Sequence, residues 1–232
     1  MKLENAACVV TGATEGIGLA IATALKARGA RVAICSRTTL RVDHAAKALG
    51  VLGTACDVSR EADVTRFARF VQERMGPPDV VINNAGLGHF APIEELTVQQ
   101  FDDTMAVNVR GMFLVTRAFL AGMKARGGGD IVNIASLAGR HGVVGGTAYT
   151  ASKHAVLGFS RSLMLEVRKA NIRVIAVCPG SVHTPFFEKS GYPEPDPAKV
   201  LTAEDVASTV VGALELPGRA MISELDIRPT KP

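Results

Sequence analysis

Thr11-Gly-Ala-Thr-Glu-Gly-Ile-Gly18 is the stretch of sequence that decides the fold. The apolar run 6–10 precedes it, and a helical pattern from Leu19 to Arg28 follows it. A strand, a glycine-rich turn and a helix in this order are the context in which proteins bind dinucleotides. Glycines let the backbone approach a pyrophosphate, and a helix amino terminus offers unpaired N–H groups and a positive dipole. The alternative is a glycine-rich turn without a ligand, since the spacing is GxxxGxG rather than GxGxxG.

A second pattern lies near the middle of the chain, in Tyr149-Thr-Ala-Ser-Lys153. In a helix, residues four apart share a face, so the phenol and the ammonium stand side by side. A free tyrosine titrates near pH ~10, and an adjacent cation lowers that pKa. The pair is therefore predicted to move a proton near neutral pH. Taken alone, a YxxxK spacing is also typical of a surface helix.

Together the two patterns resemble the short-chain dehydrogenase/reductase family, in its TGxxxGIG, NNAG and S…YxxxK form. Asn83-Asn-Ala-Gly86 matches the NNAG motif and follows the apolar strand 80–82. Pro179-Gly180 and Thr184 match the segment that closes over nicotinamide. The resemblance extends from about Cys8 to the final strand and implies a catalytic tetrad of Asn108, Ser136, Tyr149 and Lys153.

The resemblance also implies a role for each residue in hydride transfer between nicotinamide and a carbonyl or alcohol carbon. Tyr149 exchanges the proton with the substrate oxygen, Ser136 donates a hydrogen bond to that oxygen, and Lys153 lowers the pKa of Tyr149 and binds the nicotinamide ribose. Asn108 orders a water relay to Lys153, and Thr184 with the backbone near Val182 holds the carboxamide. The implied cofactor-binding set is Gly12, Thr14, Glu15, Gly16, Ile17, Gly18, Ser36, Arg37, Asp57, Val58, Asn84, Ala85, Gly86, Tyr149, Lys153, Pro179, Gly180, Val182 and Thr184.

Apolar runs of strand length alternate with helical patterns along the whole chain, which predicts an α/β fold with a parallel sheet. We expect a single Rossmann domain over 1–232, with a doubly wound seven-stranded parallel sheet and helices on both faces. Strands are predicted near 6–11, 31–35, 52–56, 79–83, 129–134, 173–178 and 220–227. Helices are predicted near 16–28, 38–49, 60–75, 97–125, 148–170 and 203–215. By resemblance, 185–201 is a lid loop over the substrate.

The end of the second strand indicates which nicotinamide cofactor is used. An acidic residue there would accept from the ribose hydroxyls, but this chain has Ser36 and Arg37, which suit a 2′-phosphate. NADP(H) is therefore the preferred cofactor, with NAD(H) possible. Glu15, in the glycine turn, argues against a 2′-phosphate. Asp57 matches the family's partner for the adenine amino group, and a helix-cap role for it is equally open.

The composition excludes several other classes. The chain has 232 residues, 47% of them hydrophobic, and a net charge of +4 with dispersed basic residues. We therefore expect no nucleic-acid partner and, since apolar runs are of strand length, no membrane span. The direct entry into the first strand leaves no room for a secretory signal, so we expect a cytoplasmic protein. We expect reduced thiols and no metal, because no metal spacing links Cys8, Cys35, Cys56, Cys178, His44, His154 and His183.

Three functions stay open at this point. The first is an NADP(H)-dependent carbonyl reductase or alcohol dehydrogenase acting on a small molecule. The second is a 3-oxoacyl-thioester (acyl-carrier-protein) reductase, and the third is a non-catalytic NAD(P)-binding regulator, which would have no need of a tuned phenol. The helices predicted at 97–125 and 148–170 are long and apolar on more than one face, and the resemblance implies that they pair between subunits in a homo-oligomer, a tetramer or a dimer. Residues that either border the substrate or belong to ordinary loops are His89, His141, Glu94, Glu95, Phe186, Phe187 and Tyr192.

Overall fold

Seven strands form one sheet in the order β3-β2-β1-β4-β5-β6-β7, and every neighbouring pair is parallel. The computed structural model describes residues 2–230. The strands are β1 Ala7–Thr11, β2 Arg31–Ser36, β3 Leu52–Ala55, β4 Val80–Asn83, β5 Gly129–Ile134, β6 Ile172–Pro179 and β7 Glu224–Ile227. The chain builds β1 to β3 in one direction and then returns to place β4 on the other side of β1. This reversal between β1 and β4 is where an open α/β sheet binds its ligand.

The helices cover both faces of the sheet, as the predicted doubly wound Rossmann fold requires. They are α1 Gly16–Ala27, α2 Thr39–Leu49, α3 Glu61–Met75, α4 Val98–Met105, α5 Met112–Ala125, α6 Thr147–Val167, α7 Phe186–Ser190 and α8 Ala203–Glu215. One core layer joins the sheet to α1 and α8, with Leu25 and Leu214 fully buried. The other joins it to α3 and α5, where the rings of Phe67 and Phe119 meet edge to face at 6.0 Å. Strands covered on both faces read as continuous apolar runs, which is why the sequence shows them so clearly.

Four predicted segments differ from the structure. The helix predicted over 97–125 is interrupted by a π-helical turn, Ala106–Gly111, between α4 and α5. The last strand begins at Glu224 rather than near 220, and α6 ends at Val167, followed by a 3₁₀ turn, Arg168–Ala170. Segment 185–201 is not a loop throughout, because it contains α7 and a second 3₁₀ turn, Pro197–Lys199.

The π-helical turn has a structural consequence for the site. A π turn contains one more residue than an α turn, so the side chains that follow it are rotated relative to those before it. Asn108 lies inside this turn and is buried. At the end of the turn, a Cβ on Gly111 would come within 2.8 Å of Val58 Cγ2, so the helix passes very close to the loop that follows β3. Hydrophobic periodicity carries no sign of such an insertion.

Candidate active site

One cavity of about 940 Å³ opens at the carboxyl ends of the central strands. Every residue in the expected cofactor-binding set lines it, and so does Ser136. Asn108 is the exception among the predicted site residues. It is buried behind the wall and borders a second, adjoining cavity of about 10 Å³, which Lys153 and Asn83 also line.

The glycine turn forms one end of the large cavity. Gly12 and Gly16 have φ values of +64° and +54°, a region that strains other residues. A Cβ on Gly18 would lie 2.3 Å from the carbonyl oxygen of Gly12 and 2.4 Å from Asn84 Nδ2, so only glycine fits there. The side chain of Glu15 makes no cap hydrogen bond at the start of α1. The first N–H groups of α1 therefore have no side-chain cap, which suits a pyrophosphate.

The two asparagines of the NNAG motif make different hydrogen bonds, and only Asn84 contacts the glycine turn. Asn84 Nδ2 donates to the carbonyl oxygens of Thr11 and Gly12, both at 3.0 Å, and Thr11 Oγ1 accepts from the backbone N–H of Asn84 at 3.1 Å. Asn83 is buried and donates to Thr116 Oγ1 and Asn133 Oδ1 at 3.0 and 2.8 Å. Asn83 thus has a structural role, and Asn84 holds the end of β4 against the glycine turn.

The opposite side of the glycine turn faces the end of β2. Thr14 Oγ1 donates to Ser36 Oγ at 3.3 Å, and Arg37 is exposed beside them. Asp57 Oδ1 accepts from the backbone N–H and the hydroxyl of Ser59 at 3.0 and 2.7 Å. Helix α3 begins only at Glu61, and its N-cap, Arg60, makes no side-chain cap hydrogen bond, so the predicted helix-cap role of Asp57 is wrong. Asp57 lines the cavity.

Glu15 is surrounded by cations that sequence reasoning did not connect with it. Its Oε2 lies 3.2 Å from NH1 of Arg41, and its Oε1 forms an ion pair with Lys189 of α7. Arg41 and Lys189 both line the cavity. Arg41 follows Arg37 by four residues, and this spacing could have indicated it, whereas Lys189 lies 174 residues from Glu15 and left no local signal.

Tyr149 and Lys153 lie in the first two turns of α6. Lys153 is buried, its Nζ lies 5.6 Å from the centroid of the Tyr149 ring, and it donates to the carbonyl oxygen of Ile134 at 2.9 Å. The helical pairing predicted from the spacing of these two residues is therefore present. The carbonyl of Ile134 anchors the ammonium at the end of β5.

Burial dominates the electrostatics of this pair. Desolvation raises the pKa of Tyr149 to about 12, opposed by a hydrogen bond with Ser136. Desolvation also lowers the pKa of Lys153 to about 8, opposed by Cys178. Both shifts disfavour the charged form, as expected for groups removed from water. The pKa of Tyr149 thus moves in the direction opposite to the lowering expected from the sequence, because desolvation outweighs the hydrogen bond with Ser136.

Ser136 and Asn108 complete the predicted set from two other elements. Ser136 follows β5, and its Oγ accepts from the N–H of Ala138 at 3.1 Å. Asn108 Oδ1 accepts from the N–H of Leu87 at 2.9 Å. Asn108 Nδ2 donates to the carbonyl of Leu87 and to Ser152 Oγ, at 2.8 and 2.9 Å. Asn108 therefore ties the loop after β4 to α6.

The segment after β6 forms the wall opposite the glycine turn. Pro179 ends β6, and Thr184 Oγ1 donates to the carbonyl of Val182 at 3.4 Å. A Cβ on Gly16 would lie 3.1 Å from Thr184 Cγ2, so the two walls approach each other closely here. Val182 also pairs with Leu201 in an isolated parallel bridge, which fixes both ends of segment 185–201.

Aromatic rings surround Tyr149. The rings of Phe90 and Phe186 lie 5.3 and 5.5 Å from it, and Tyr192 lies 4.8 Å from Phe90. Phe186, Phe187 and Tyr192 were candidates from the sequence, but Phe90 was missed because it belongs to an irregular loop.

The remaining candidates divide between the cavity and the surface. His89 lines the cavity, whereas His141 and both Glu94 and Glu95 are exposed outside it. Among residues 2–230, no group of three or more His, Cys, Asp or Glu side chains is placed to hold a metal ion. No helix in this described range is long and apolar enough to cross a membrane.

Comparison with known proteins agrees with this geometry. The family model for short chain dehydrogenase matches residues 6–194. A Granaticin polyketide synthase putative ketoacyl reductase 1 from Streptomyces violaceoruber is 41% identical over 188 residues, which cover 78% of this chain and 69% of the relative.

Two solved structures are similar over nearly all of the chain. A 3-ketoacyl-(acyl-carrier-protein) reductase from Brucella melitensis, complexed with NADH, has a TM-score of 0.93 at 27% identity and covers 99% of both chains. A metagenomic short-chain oxidoreductase in complex with NADP has a TM-score of 0.86 at 34% identity and covers 100% of both. The family model matches most of the chain, and the two solved structures share its fold. This chain therefore belongs to the short chain dehydrogenase family of oxidoreductases.

Proposed function

We propose that this chain is an NADP(H)-dependent oxidoreductase that interconverts a carbonyl compound and a secondary alcohol. The observation that carries the proposal is a single cavity that joins the glycine turn to Tyr149, Ser136 and Lys153. A cofactor placed along that cavity would extend from the uncapped amino terminus of α1 to the phenol. When bound, the nicotinamide supplies or accepts a hydride at its C4 atom.

Tyr149 is the proton donor in this proposal. With a pKa of about 12 the phenol is protonated at neutral pH, so it can give a proton to a carbonyl oxygen in the reductive direction. Ser136, which hydrogen-bonds the phenol, donates to the same substrate oxygen as charge develops on it. Both side chains line the cavity and are therefore accessible to a substrate.

Lys153 and Asn108 support Tyr149 from behind. Lys153 holds its ammonium between the carbonyl of Ile134 and the Tyr149 ring, where it binds the nicotinamide ribose in this proposal. Asn108 fixes the loop after β4 through Leu87. The adjoining cavity of about 10 Å³, lined by Asn108 and Lys153, matches the volume that one buried water needs. It supports the relay by which Lys153 would return a proton to Tyr149.

The charges around the end of β2 support NADP(H) over NAD(H). Glu15 argued against a 2′-phosphate in the sequence, but its carboxylate is paired with both Arg41 and Lys189. Arg37 is exposed at the same wall, next to Ser36. Together, Arg37, Arg41, Lys189 and Glu15 carry three positive charges and one negative charge, so their net charge is positive. This suits a 2′-phosphate, which a guanidinium can bind through two hydrogen bonds.

The test is turnover of the purified protein with NADPH and with NADH across ketones, aldehydes and acyl thioesters. Wild-type protein should oxidise NADPH in the presence of a carbonyl compound. Tyr149→Phe removes the proton donor and should lose turnover by at least about 10²-fold, the lower range for a general acid. It should still bind NADPH in calorimetry. Turnover of Tyr149→Phe at the wild-type rate would refute the assignment.

A 3-oxoacyl-thioester reductase is the second candidate, because two of the similar proteins carry a ketoacyl reductase name. A faster reaction with a 3-oxoacyl thioester than with any ketone of the panel would favour it. The non-catalytic regulator would bind the cofactor and reduce nothing. The intact set of Asn108, Ser136, Tyr149 and Lys153 speaks against that alternative.

Three finer properties belong to the same proposal. Segment 185–201 acts as a lid, because α7 packs its aromatic rings over Tyr149. The protein forms a dimer or tetramer through α4 to α6, which expose Val98, Phe101, Phe113 and Leu165. All four cysteines are buried free thiols, which agrees with a reducing, cytoplasmic location. Sedimentation velocity would test the assembly directly.

A further inference from the structure

The rings around Tyr149 form one connected aromatic cluster of Phe90, Tyr149, Phe186, Phe187 and Tyr192. The centroids of Phe187 lie 5.8 Å from Phe186 and 6.0 Å from Tyr192. Phe90 and Phe186 also meet each other edge to face, at 6.3 Å, so these two rings and Tyr149 are in mutual contact. All of these spacings fall in the range in which aromatic pairs attract each other. The side of the cavity next to the reactive phenol is therefore built from flat rings.

Gly88 makes this convergence possible. A Cβ at Gly88 would lie 2.9 Å from Phe90 Cε2, 2.9 Å from Phe186 Cζ and 3.1 Å from Tyr149 Cδ2. Three rings thus rest on one stretch of bare backbone, and Gly88 itself lines the cavity. Backbone hydrogen bonds hold the loop and the lid together here, since the N–H of Phe90 donates to the carbonyl of Ser190 at 2.9 Å.

The charges in the part of the cavity beside the aromatic cluster also restrict the substrate. Among the described residues that line it beside the aromatic cluster, the ionisable ones other than tyrosine are His89, Lys153 and Lys189. Lys153 already donates to the carbonyl oxygen of Ile134 and, in the proposed function, binds the nicotinamide ribose. Lys189 is already paired with Glu15. The other neighbours include Leu137 and Val143, which are apolar. An anionic group next to the reacting carbonyl would thus lose its hydration without gaining a free cation.

We propose that the substrate is a neutral ketone that carries a flat aromatic ring within about one carbon of its carbonyl. This proposal rests on the proposed function. The substrate ring would join the aromatic cluster while the carbonyl oxygen reaches Tyr149 and Ser136. In the reduction, a bound NADPH would supply a hydride with its two electrons for the carbonyl carbon, and the carbonyl oxygen would take the Tyr149 proton. The products are the alcohol and NADP⁺, and solvent returns the proton to the phenol.

The experiment compares methyl ketones that carry a six-membered ring one methylene away from the carbonyl. The ring is flat and aromatic in phenylacetone, whereas it is saturated and puckered in cyclohexylacetone. A third ketone, 4-(2-oxopropyl)benzoic acid, is phenylacetone with a carboxylate on its ring. Wild-type protein with NADPH should show kcat/KM for phenylacetone about tenfold above that for cyclohexylacetone, the size expected from one or two aromatic contacts. It should also exceed kcat/KM for the benzoic acid, whose carboxylate loses its hydration in the cavity.

Two variants and a control separate the aromatic cluster from general effects on the fold. Phe90→Leu should reduce the preference for phenylacetone over cyclohexylacetone to less than about threefold, while the affinity for NADPH measured by calorimetry is unchanged. Gly88→Ala should do the same, and it should fold, because the atoms it meets are ring edges and tips that can move. Phe70→Leu, on α3 outside the cavity lining, should keep the full preference.

The possible outcomes distinguish the aromatic substrate class from the reductase activity on which it rests. Should the protein reduce no ketone and no thioester, the proposed function and the substrate class both fail. Should it reduce cyclohexylacetone as well as phenylacetone, or should Phe90→Leu keep the wild-type ratio, the aromatic substrate class fails while the reductase stands. A rate with a 3-oxobutyryl thioester above that with phenylacetone would likewise overturn it.

Discussion

Replacing Lys153 with methionine should change stability in a strongly pH-dependent way. Desolvation lowers the pKa of Lys153 from its ordinary value of 10.5 to about 8. A difference of this size corresponds to about 3 kcal/mol of free energy, at about 1.4 kcal/mol for each pKa unit. Below pH 8 the folded protein bears that cost in full, because it must keep a charged ammonium buried.

The sign follows from proton binding. Between pH 8 and 10.5 the unfolded chain binds a proton at Lys153 that the folded protein does not, so wild-type stability rises with pH across this window. Methionine does not titrate, and its loss of the hydrogen bond to Ile134 is a constant offset. The free energy of unfolding of Lys153→Met minus that of wild type should therefore fall by about 2–3 kcal/mol between pH 7 and pH 10.

Urea denaturation followed by circular dichroism measures this difference, and the chain has no tryptophan to offer a simpler probe. The control is Lys124→Met, since Lys124 is exposed on α5 and should show no such trend. Tyr149 is present in all three proteins, so its own titration cancels. A difference between Lys153→Met and wild type that stays constant within about 0.5 kcal/mol across the range would refute the buried-ammonium argument.

Three further predictions test other parts of the site. Arg37→Asp should weaken NADPH binding by at least about tenfold relative to NADH in calorimetry, since it places a carboxylate against the 2′-phosphate; equal effects on both cofactors would contradict the assignment. Gly18→Ala should destabilise the protein by about 1–3 kcal/mol and abolish cofactor binding because of its 2.3 Å contact with Gly12. Its matched control, Gly158→Ala in α6, meets no atom within 4 Å and should stabilise by about 0.5–1 kcal/mol in thermal unfolding. The chain has two tyrosines, so Tyr192→Phe leaves only Tyr149, and near-ultraviolet absorbance should show no phenolate until the pH approaches 12. The raised pKa of Tyr149 stabilises the fold below pH 10, and this contribution is lost between pH 10 and 12. A rise in phenolate absorbance near pH 10 in folded protein would disprove the raised pKa.

Much of the fold was predictable because it depends on local patterns. The starts of the first six strands were placed within one residue. Five of these strands are mostly buried runs with a clear contrast to their surroundings. The two edge strands, β3 and β7, are only partly buried, so their patterns are weaker, and β7 begins four residues later than predicted. The π-helical turn at Asn108 was not predictable, because no hydrophobic period marks an inserted residue.

The amino-acid sequence alone determined the residue types and the local geometry on which the chemistry depends. The glycines at 12, 16 and 18 and the helical spacing of Tyr149 and Lys153 act through the backbone within a few residues, so sequence position was sufficient. Only the tertiary structure decided what surrounds them. It brought Lys189 and Arg41 to Glu15, placed Phe90 and Phe186 over Gly88, and removed Tyr149 from water. Desolvation and ion pairing depend on distances through space, and those distances exist only once the chain has folded.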